Sequence, residues 1–202
     1  MGTSYRTRAC LPLILALALV LLPAFANAQT PAPETANPAK PPRDSSGQIL
    51  QPDEVVLEGF LGILWGASSE SAKKTMGEKG FTYVGLSKHS ELVFKGGNFA
   101  NFPVQQVTLT FFSNQFFQAE VDFPKTDDDV KTFSTLMDAY VQKYGVQFEP
   151  HYPDPSTCIW QCKDDNTVTL IHSNGIGIVY INKSLSDQSH AAEVSKVKST
   201  DL

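Results

Sequence analysis

A cysteine and a histidine, two residue types that act together in catalysis and metal binding, fall in neighbouring predicted strands near the end of the chain. If residues 164–166 form a three-residue hairpin loop, the pairing register places Cys158 directly opposite His172. A thiolate beside an imidazole can serve as a nucleophile with its base, or as two ligands of a soft metal. The pair therefore defines one hypothesis, a small enzyme or metal site.

The same strands also explain the pair as ordinary core, and this interpretation is favoured. Seven residues share the predicted face: Cys158, Trp160, Cys162, Val168, Leu170, Val179 and Ile181. A buried free cysteine behaves as a small hydrophobic side chain, and no third residue is placed to orient the imidazole. The sequence also lacks a phosphate loop, a nucleophile elbow and a Cys-x-x-Cys motif. We therefore predict no cofactor and no metal.

Two phenylalanines at the tip of the central predicted hairpin offer a possible contact surface. With residues 112–116 as the loop, Phe112 and Phe116 face each other on the side of the sheet opposite the core residues. Exposed aromatic side chains with polar neighbours are typical of binding surfaces. The alternative is that the linker, a helix or the second half of the sheet covers them.

The last predicted hairpin is apolar on both faces. With Asn174 and Gly175 as its turn, Ile178 and Tyr180 point away from the core face. An uncovered apolar face promotes association. The sequence therefore predicts that the tail, the linker or a second protein molecule covers Ile178 and Tyr180, and we expect a partner or a self-contact there.

Two helices and seven strands must position these residues. Ser68 caps a predicted helix over 69–79, and Thr126 caps a second helix that ends at Gly145. The predicted strands span residues 81–86, 91–95, 104–112, 116–123, 157–163, 167–173 and 176–182. This order predicts an α+β fold in which two halves, each a helix plus an antiparallel sheet, pack as one domain.

The start of the chain has the pattern of a secretory signal peptide. Arg6 and Arg8 precede an apolar run at 11–22, and small residues at 26–28 provide a cleavage position. The run is 12 residues long, whereas a helix needs roughly 20 to cross a bilayer. The pattern predicts export to the periplasm or the medium, with no membrane span after cleavage. Because Cys10 precedes the apolar run, it cannot be the acylated cysteine of a lipoprotein.

Composition divides the remaining chain. Six prolines lie in 29–54, which predicts a disordered linker, whereas 55–185 is long enough for one α+β domain and 186–202 is a polar tail, either frayed or a short surface helix. Loss of residues 1–28 would change the net charge from −5 to −7, because only Arg6 and Arg8 leave with them. An acidic chain is a poor partner for nucleic acid.

Three sequence segments resemble a loose group of uncharacterised secreted bacterial domains. They are FLGILWGASSESAKK at 60–74, LVFKGG at 92–97 and KYG at 143–145. In outline, the helix-plus-hairpin halves are similar to the small outer-membrane assembly lipoproteins and to the tandem-repeat β-lactamase inhibitor proteins. The resemblance carries no catalytic motif. The lack of a catalytic motif, the predicted linker and the predicted exposed aromatic pair favour an exported, non-enzymatic binding or accessory protein of the cell envelope, with an envelope protein or a second copy as its partner.

Overall fold

A computed structural model of the chain describes residues 51–145 and 156–200. The predicted signal peptide at 1–28 and the predicted linker up to residue 50 lie outside these ranges. The described part of the linker is ordered, since Pro52–Glu54 forms a 3-10 turn in which Pro52 is buried. The packed structure therefore begins before the predicted boundary at residue 55.

The described ranges contain three helices and eleven strands. The helices are α1 (Ser69–Glu78), α2 (Asp129–Tyr144) and α3 (Lys183–Thr200). The strands are β1 (Gly59–Phe60), β2 (Ile63–Leu64), β3 (Thr82–Leu86), β4 (Leu92–Lys95), β5 (Asn98–Phe99), β6 (Phe102–Pro103), β7 (Gln106–Phe112), β8 (Gln115–Asp122), β9 (Thr157–Gln161), β10 (Thr167–His172) and β11 (Ile176–Ile181). This content confirms the predicted α+β class.

Seven of these strands form one antiparallel sheet in the order β3-β4-β7-β8-β11-β10-β9. Each predicted half is a helix followed by antiparallel strands, and the two halves join where β8 pairs with β11. Because the last strand of each half makes this junction, the halves share a single sheet. The first strand of each half, β3 or β9, is left at an end of that sheet.

Local interactions mark where the first two helices begin. Ser68 caps α1, since its Oγ accepts a hydrogen bond from the Ser71 N–H at 3.3 Å. Helix α2 begins later than the predicted cap Thr126 implies, because its N-cap is Asp128, which makes no side-chain capping bond. Thr126 forms a turn before the helix: its Oγ1 accepts from the Asp128 N–H at 3.3 Å, and its own N–H donates to Asp129 Oδ1 at 2.8 Å. Gly145 ends α2 at a φ of 86°, a left-handed value that glycine adopts without strain.

One buried core spans both halves of the sheet and includes residues of α1 and α2. Three residues of α2 are buried: Leu136, Tyr140 and Tyr144. The Tyr140 ring packs against Trp160 with 5.2 Å between ring centroids, and its hydroxyl shares a short hydrogen bond with that of Tyr180. Both Trp160 and Tyr180 are almost fully inaccessible to solvent. Aromatic packing of this kind contributes stabilisation beyond the burial of apolar area.

The polar C-terminal segment is helical, the second of the two predicted alternatives. Helix α3 begins before the predicted start of the tail at residue 186 and contacts β7 and β8. None of its side chains at 183–197 is buried, and Val197 is 62% exposed. Within the part of the chain that the structure describes, no helix combines the length and apolar character needed to cross a membrane.

Asn166 joins three parts of the fold, a role that sequence reasoning missed. Its buried side-chain amide donates to the Leu57 carbonyl at 3.3 Å, and its Oδ1 accepts from the Lys183 N–H at 3.1 Å and from Asn182 at 3.0 Å. Buried polar groups are stabilising only when they are hydrogen-bonded in this way. The amide therefore fixes the segment at Leu57 and the start of α3 to the loop before β10.

Candidate functional site

The structure does not place Cys158 opposite His172, so the predicted register was wrong. Cys158 pairs with Leu170, because five residues, 162–166, connect β9 to β10 in place of the predicted three. The His172 ring stacks on Phe133 of α2, with 5.3 Å between centroids. The histidine is therefore held by the helix above it, and the direct thiol–imidazole pair on which the enzymatic hypothesis depended is absent.

Both remaining cysteines are buried and free, with no disulfide between them. Burial raises the pKa of the Cys158 thiol, and it raises that of Cys162 to about 11, although nearby Lys143 opposes the second shift. The thiolate is the nucleophilic and metal-binding form of cysteine, so a raised pKa makes both residues less reactive. Within 51–145 and 156–200, no group of three His, Cys, Asp or Glu residues is arranged to hold a metal ion.

The burial of these thiols predicts slow modification of the folded protein. At pH 8, a disulfide reagent such as DTNB should label Cys158 and Cys162 only as fast as the protein opens, because both are protonated and inaccessible. In denaturant both should react at the rate of a free thiol. Labelling of either cysteine within seconds under native conditions would contradict this expectation and would return the enzymatic hypothesis to consideration.

Phe112 and Phe116 do not form the predicted exposed pair. Ser113 and Asn114 adopt left-handed φ values of 49° and 62°, which makes a two-residue turn and pairs Phe112 with Gln115. Phe116 therefore pairs with Phe111 and has no exposed surface. The segment before α1 covers it.

That segment is fixed to β8 through the backbone of Phe116. Its N–H donates to the Ala67 carbonyl at 2.9 Å, and its carbonyl accepts from the Gly66 N–H at 2.8 Å. The Trp65 ring stacks on the Phe116 ring with 5.1 Å between centroids. Phe116 is thus a core residue, and the tip of this hairpin loses its role as a predicted binding surface.

Ile178 and Tyr180 are core residues too, which corrects their assignment as binding residues. Three residues, 173–175, connect β10 to β11, so His172 pairs with Ile176. The predicted two-residue turn would have placed the opposite face of β11 in the core. In the structure Ile178 is 0% exposed and Tyr180 is 3% exposed, whereas Val179, between them, is half-buried.

The buried tyrosines have no evident catalytic capacity. Burial raises the pKa of Tyr140, Tyr144 and Tyr180, so each stays a neutral phenol. Tyr144 Oη has no hydrogen-bond partner among the described residues. Tyr144 and Tyr180 line a cavity of ≈ 400 Å³, together with residues that include the exposed Val56 and Leu64.

Half-buried carboxylates lie on β8. Burial raises the pKa of Glu120, with smaller contributions from Asp122 and Glu91, and burial also raises that of Asp122. Two carboxylates two residues apart on one strand share a face and repel each other. Within the described residues, these carboxylates do not belong to a group of three His, Cys, Asp or Glu side chains that could hold a metal ion.

The exposed apolar side chains of the described residues are concentrated on strand β3. Tyr83, Val84 and Leu86 are 40%, 51% and 61% exposed, and they lie within four positions of one strand. Isolated exposed apolar residues are common, but a contiguous group of this kind is typical of interaction sites. The sequence predicted the strand but did not identify its exposure.

Topology explains why β3 is exposed. It is a terminal strand of the sheet, so its outer edge makes no strand pairing within the described residues. A bulge at Val84 separates the pairs Tyr83/Phe94 and Gly85/Val93. Helix α1 contacts β3, and at the other end of the sheet β9 contacts the 3-10 turn at Pro52–Glu54. The outward backbone donors and acceptors of β3 have no strand partner among the described residues.

Lysines accompany the apolar residues at this edge. Lys73 Nζ lies 4.4 Å from the centre of the Tyr83 ring, Lys95 pairs with Thr82, and Lys88 follows β3 in the turn to β4. None of the three forms an ion pair with another described residue. We call the exposed residues of β3 with these three lysines the β3 edge surface.

Comparison with known proteins identifies no relative of this chain. No protein-family profile, no curated protein and no solved structure matches it. The function of the chain therefore has to be inferred from the geometry of its described residues.

Proposed function

We propose that the protein is an exported, non-enzymatic binding or accessory protein of the cell envelope, and that the β3 edge surface is its contact site. The observation that carries this proposal is the exposure of Tyr83, Val84 and Leu86 on a terminal strand. An apolar strand edge with unpaired backbone groups is the structure that β-strand addition uses.

Export is the second part of the proposal. It is supported by the signal-peptide pattern at 1–28, where two arginines precede the apolar run and small residues follow it. The mature chain would then work outside the cytoplasm. The inert chemistry of the two buried thiols supports binding over catalysis.

Site-specific photo-crosslinking tests the contact site. Benzoylphenylalanine would replace Leu86 in the full precursor, expressed in the cells that naturally make it. Val130 is a matched control, since it is also aliphatic and is 73% exposed at the start of α2. We expect a discrete adduct from position 86 that position 130 does not give, and the mature N-terminus of the adduct would report export.

Either of two results would refute the contact site. One is an adduct of the same size from both positions, which would indicate random collision. The other is an adduct from position 130 alone, which would place the partner on α2. An uncleaved, cytoplasmic precursor would refute export separately.

A further inference from the structure

We infer that the partner contributes an extended acidic segment, which adds to β3 as a further strand of the sheet. This inference rests on the proposed function and names the chemistry of the partner at the same surface. Three independent features of β3 lead to it: its backbone, its side chains and the charge around it.

The backbone of β3 can bind another strand without rearrangement. β3 already pairs with β4 along one edge, and antiparallel pairing uses only about half of the donors and acceptors of a strand. The remaining groups point outward from the end of the sheet. An extended peptide would pair with them, whereas a helix would leave them unpaired.

The side chains of β3 indicate that an added strand would extend the existing core. Tyr83 lies against the buried Phe94 ring, with 5.6 Å between centroids, and Leu86 pairs with the buried Leu92. Tyr83 and Leu86 are thus the exposed margin of the core layer. A neighbouring strand would cover them with alternate side chains, so the segment should have an apolar residue at every second position.

The charge at β3 distinguishes an acidic partner from a second copy of this chain. Residues 69–95 contain five lysines and three glutamates, although the whole chain has a net charge of −5. Pairing β3 with its own copy would bring a second set of the lysines of the β3 edge surface to the same seam, where like charges repel. Glutamate or aspartate at the outward positions of a partner strand would be attracted instead.

Synthetic peptides test the inference directly. A fluorescent twelve-residue peptide with alternating valine and glutamate would be titrated against the full mature chain and followed by anisotropy. The same peptide with lysine in place of glutamate reverses the charge. A third peptide, N-methylated at alternate amides, keeps the charge but cannot pair along a strand. We expect binding of the glutamate peptide alone.

A matched pair of triple variants locates the charge effect. Lys73→Gln/Lys88→Gln/Lys95→Gln removes the lysines of the β3 edge surface, and Lys125→Gln/Lys131→Gln/Lys163→Gln removes three charges elsewhere. All six lysines are exposed. The first variant should weaken binding of the glutamate peptide about tenfold and the second less than about twofold, because exposed charge pairs act at short range.

The remaining outcomes separate this inference from the proposed function. Equal binding of the glutamate and lysine peptides, or unchanged binding after N-methylation, would overturn it. No peptide binding combined with a specific adduct from position 86 would also overturn it and leave the contact site in place. A concentration-dependent dimer that Leu86→Lys abolishes would identify a second copy as the occupant and refute the acidic partner.

Discussion

Replacing Trp160 with alanine should lower the free energy of unfolding by about 3–5 kcal/mol, the range for deletion of a large buried aromatic side chain. Trp160 is 0% exposed on β9, the terminal strand of the second half of the sheet. Its Nε1–H also donates to the Gly145 carbonyl at 3.1 Å. The substitution would leave both a cavity and an unsatisfied carbonyl at the end of α2. Urea unfolding followed by circular dichroism measures the loss.

The neighbouring residue provides the control. Ile159 points to the opposite face of β9 and is half-buried, so Ile159→Ala should cost less than half as much as Trp160→Ala. Equal losses for the two variants, or a loss below about 1 kcal/mol for Trp160→Ala, would contradict the assigned core face.

Replacing Ile178 with lysine should prevent stable folding. Ile178 is 0% exposed and lies between Val121 and Leu170 in the pairing register, with no described acidic residue directly opposite. An unpaired buried charge costs several kcal/mol, which is comparable to the whole stability of a domain of this size, about 5–15 kcal/mol. The soluble yield and the thermal transition of the variant measure the effect.

Val179→Lys tests the same change on the other face of β11. Val179 is half-buried, so its lysine can extend its ammonium group into solvent, and this variant should fold with a loss of about 1–2 kcal/mol. Light scattering of wild type and Ile178→Lys adds a second criterion. A wild-type dimer that Ile178→Lys converts into a stable monomer would show that Ile178 is an interface residue, as the sequence suggested, and that the core assignment is wrong.

The sequence predicted the helices well because their ends depend on local interactions. Ser68 caps α1 and Gly145 ends α2 as predicted, whereas α2 begins two residues later than the predicted cap Thr126 implies, after Asp128. The helical spacing of apolar residues would also put Val130 on the buried face of α2, yet Val130 is 73% exposed in the first turn.

Wrongly predicted loop lengths explain the errors in the predicted strand register. The β9–β10 connection is longer than predicted by two residues, and an even shift changes the partner of Cys158 without changing its face. The β10–β11 loop is longer by one residue, and an odd shift reverses the face of Ile178. Left-handed φ values at Asp164 and Asp165 form part of the longer loop. Asparagine and aspartate tolerate such values, so the residue types alone did not set the loop length.

In the central hairpin, a bulge compensates for a similar error in the predicted turn length. The two-residue turn at Ser113 and Asn114 shifts the pairing at the tip, but an irregularity between Thr110 and Phe111 restores it. Leu109 therefore still shares the core face with Ala119, as predicted. The error is confined to the tip, which is where the phenylalanine contact surface had been placed.

The β3 edge surface could not be found from the sequence for a different reason. Residues 82–86 read as a strand, but whether a strand is central or terminal depends on pairings between distant segments. The junction of β8 with β11 is what leaves β3 at the end of the sheet. The available signals were consecutive apolar residues at 83 and 84 and the lysines at 73, 88 and 95.

Hydrogen exchange of the β3 backbone amides is the most direct test of β3 as the contact strand. Exchange would be followed by NMR for the mature chain with and without a saturating amount of the valine–glutamate peptide. We predict that the amides of Thr82–Leu86 that face away from β4 slow at least about tenfold, while those of Thr157–Gln161 at the other edge do not change. Protection outside β3, with the β3 amides exchanging as in the free protein, would contradict the account.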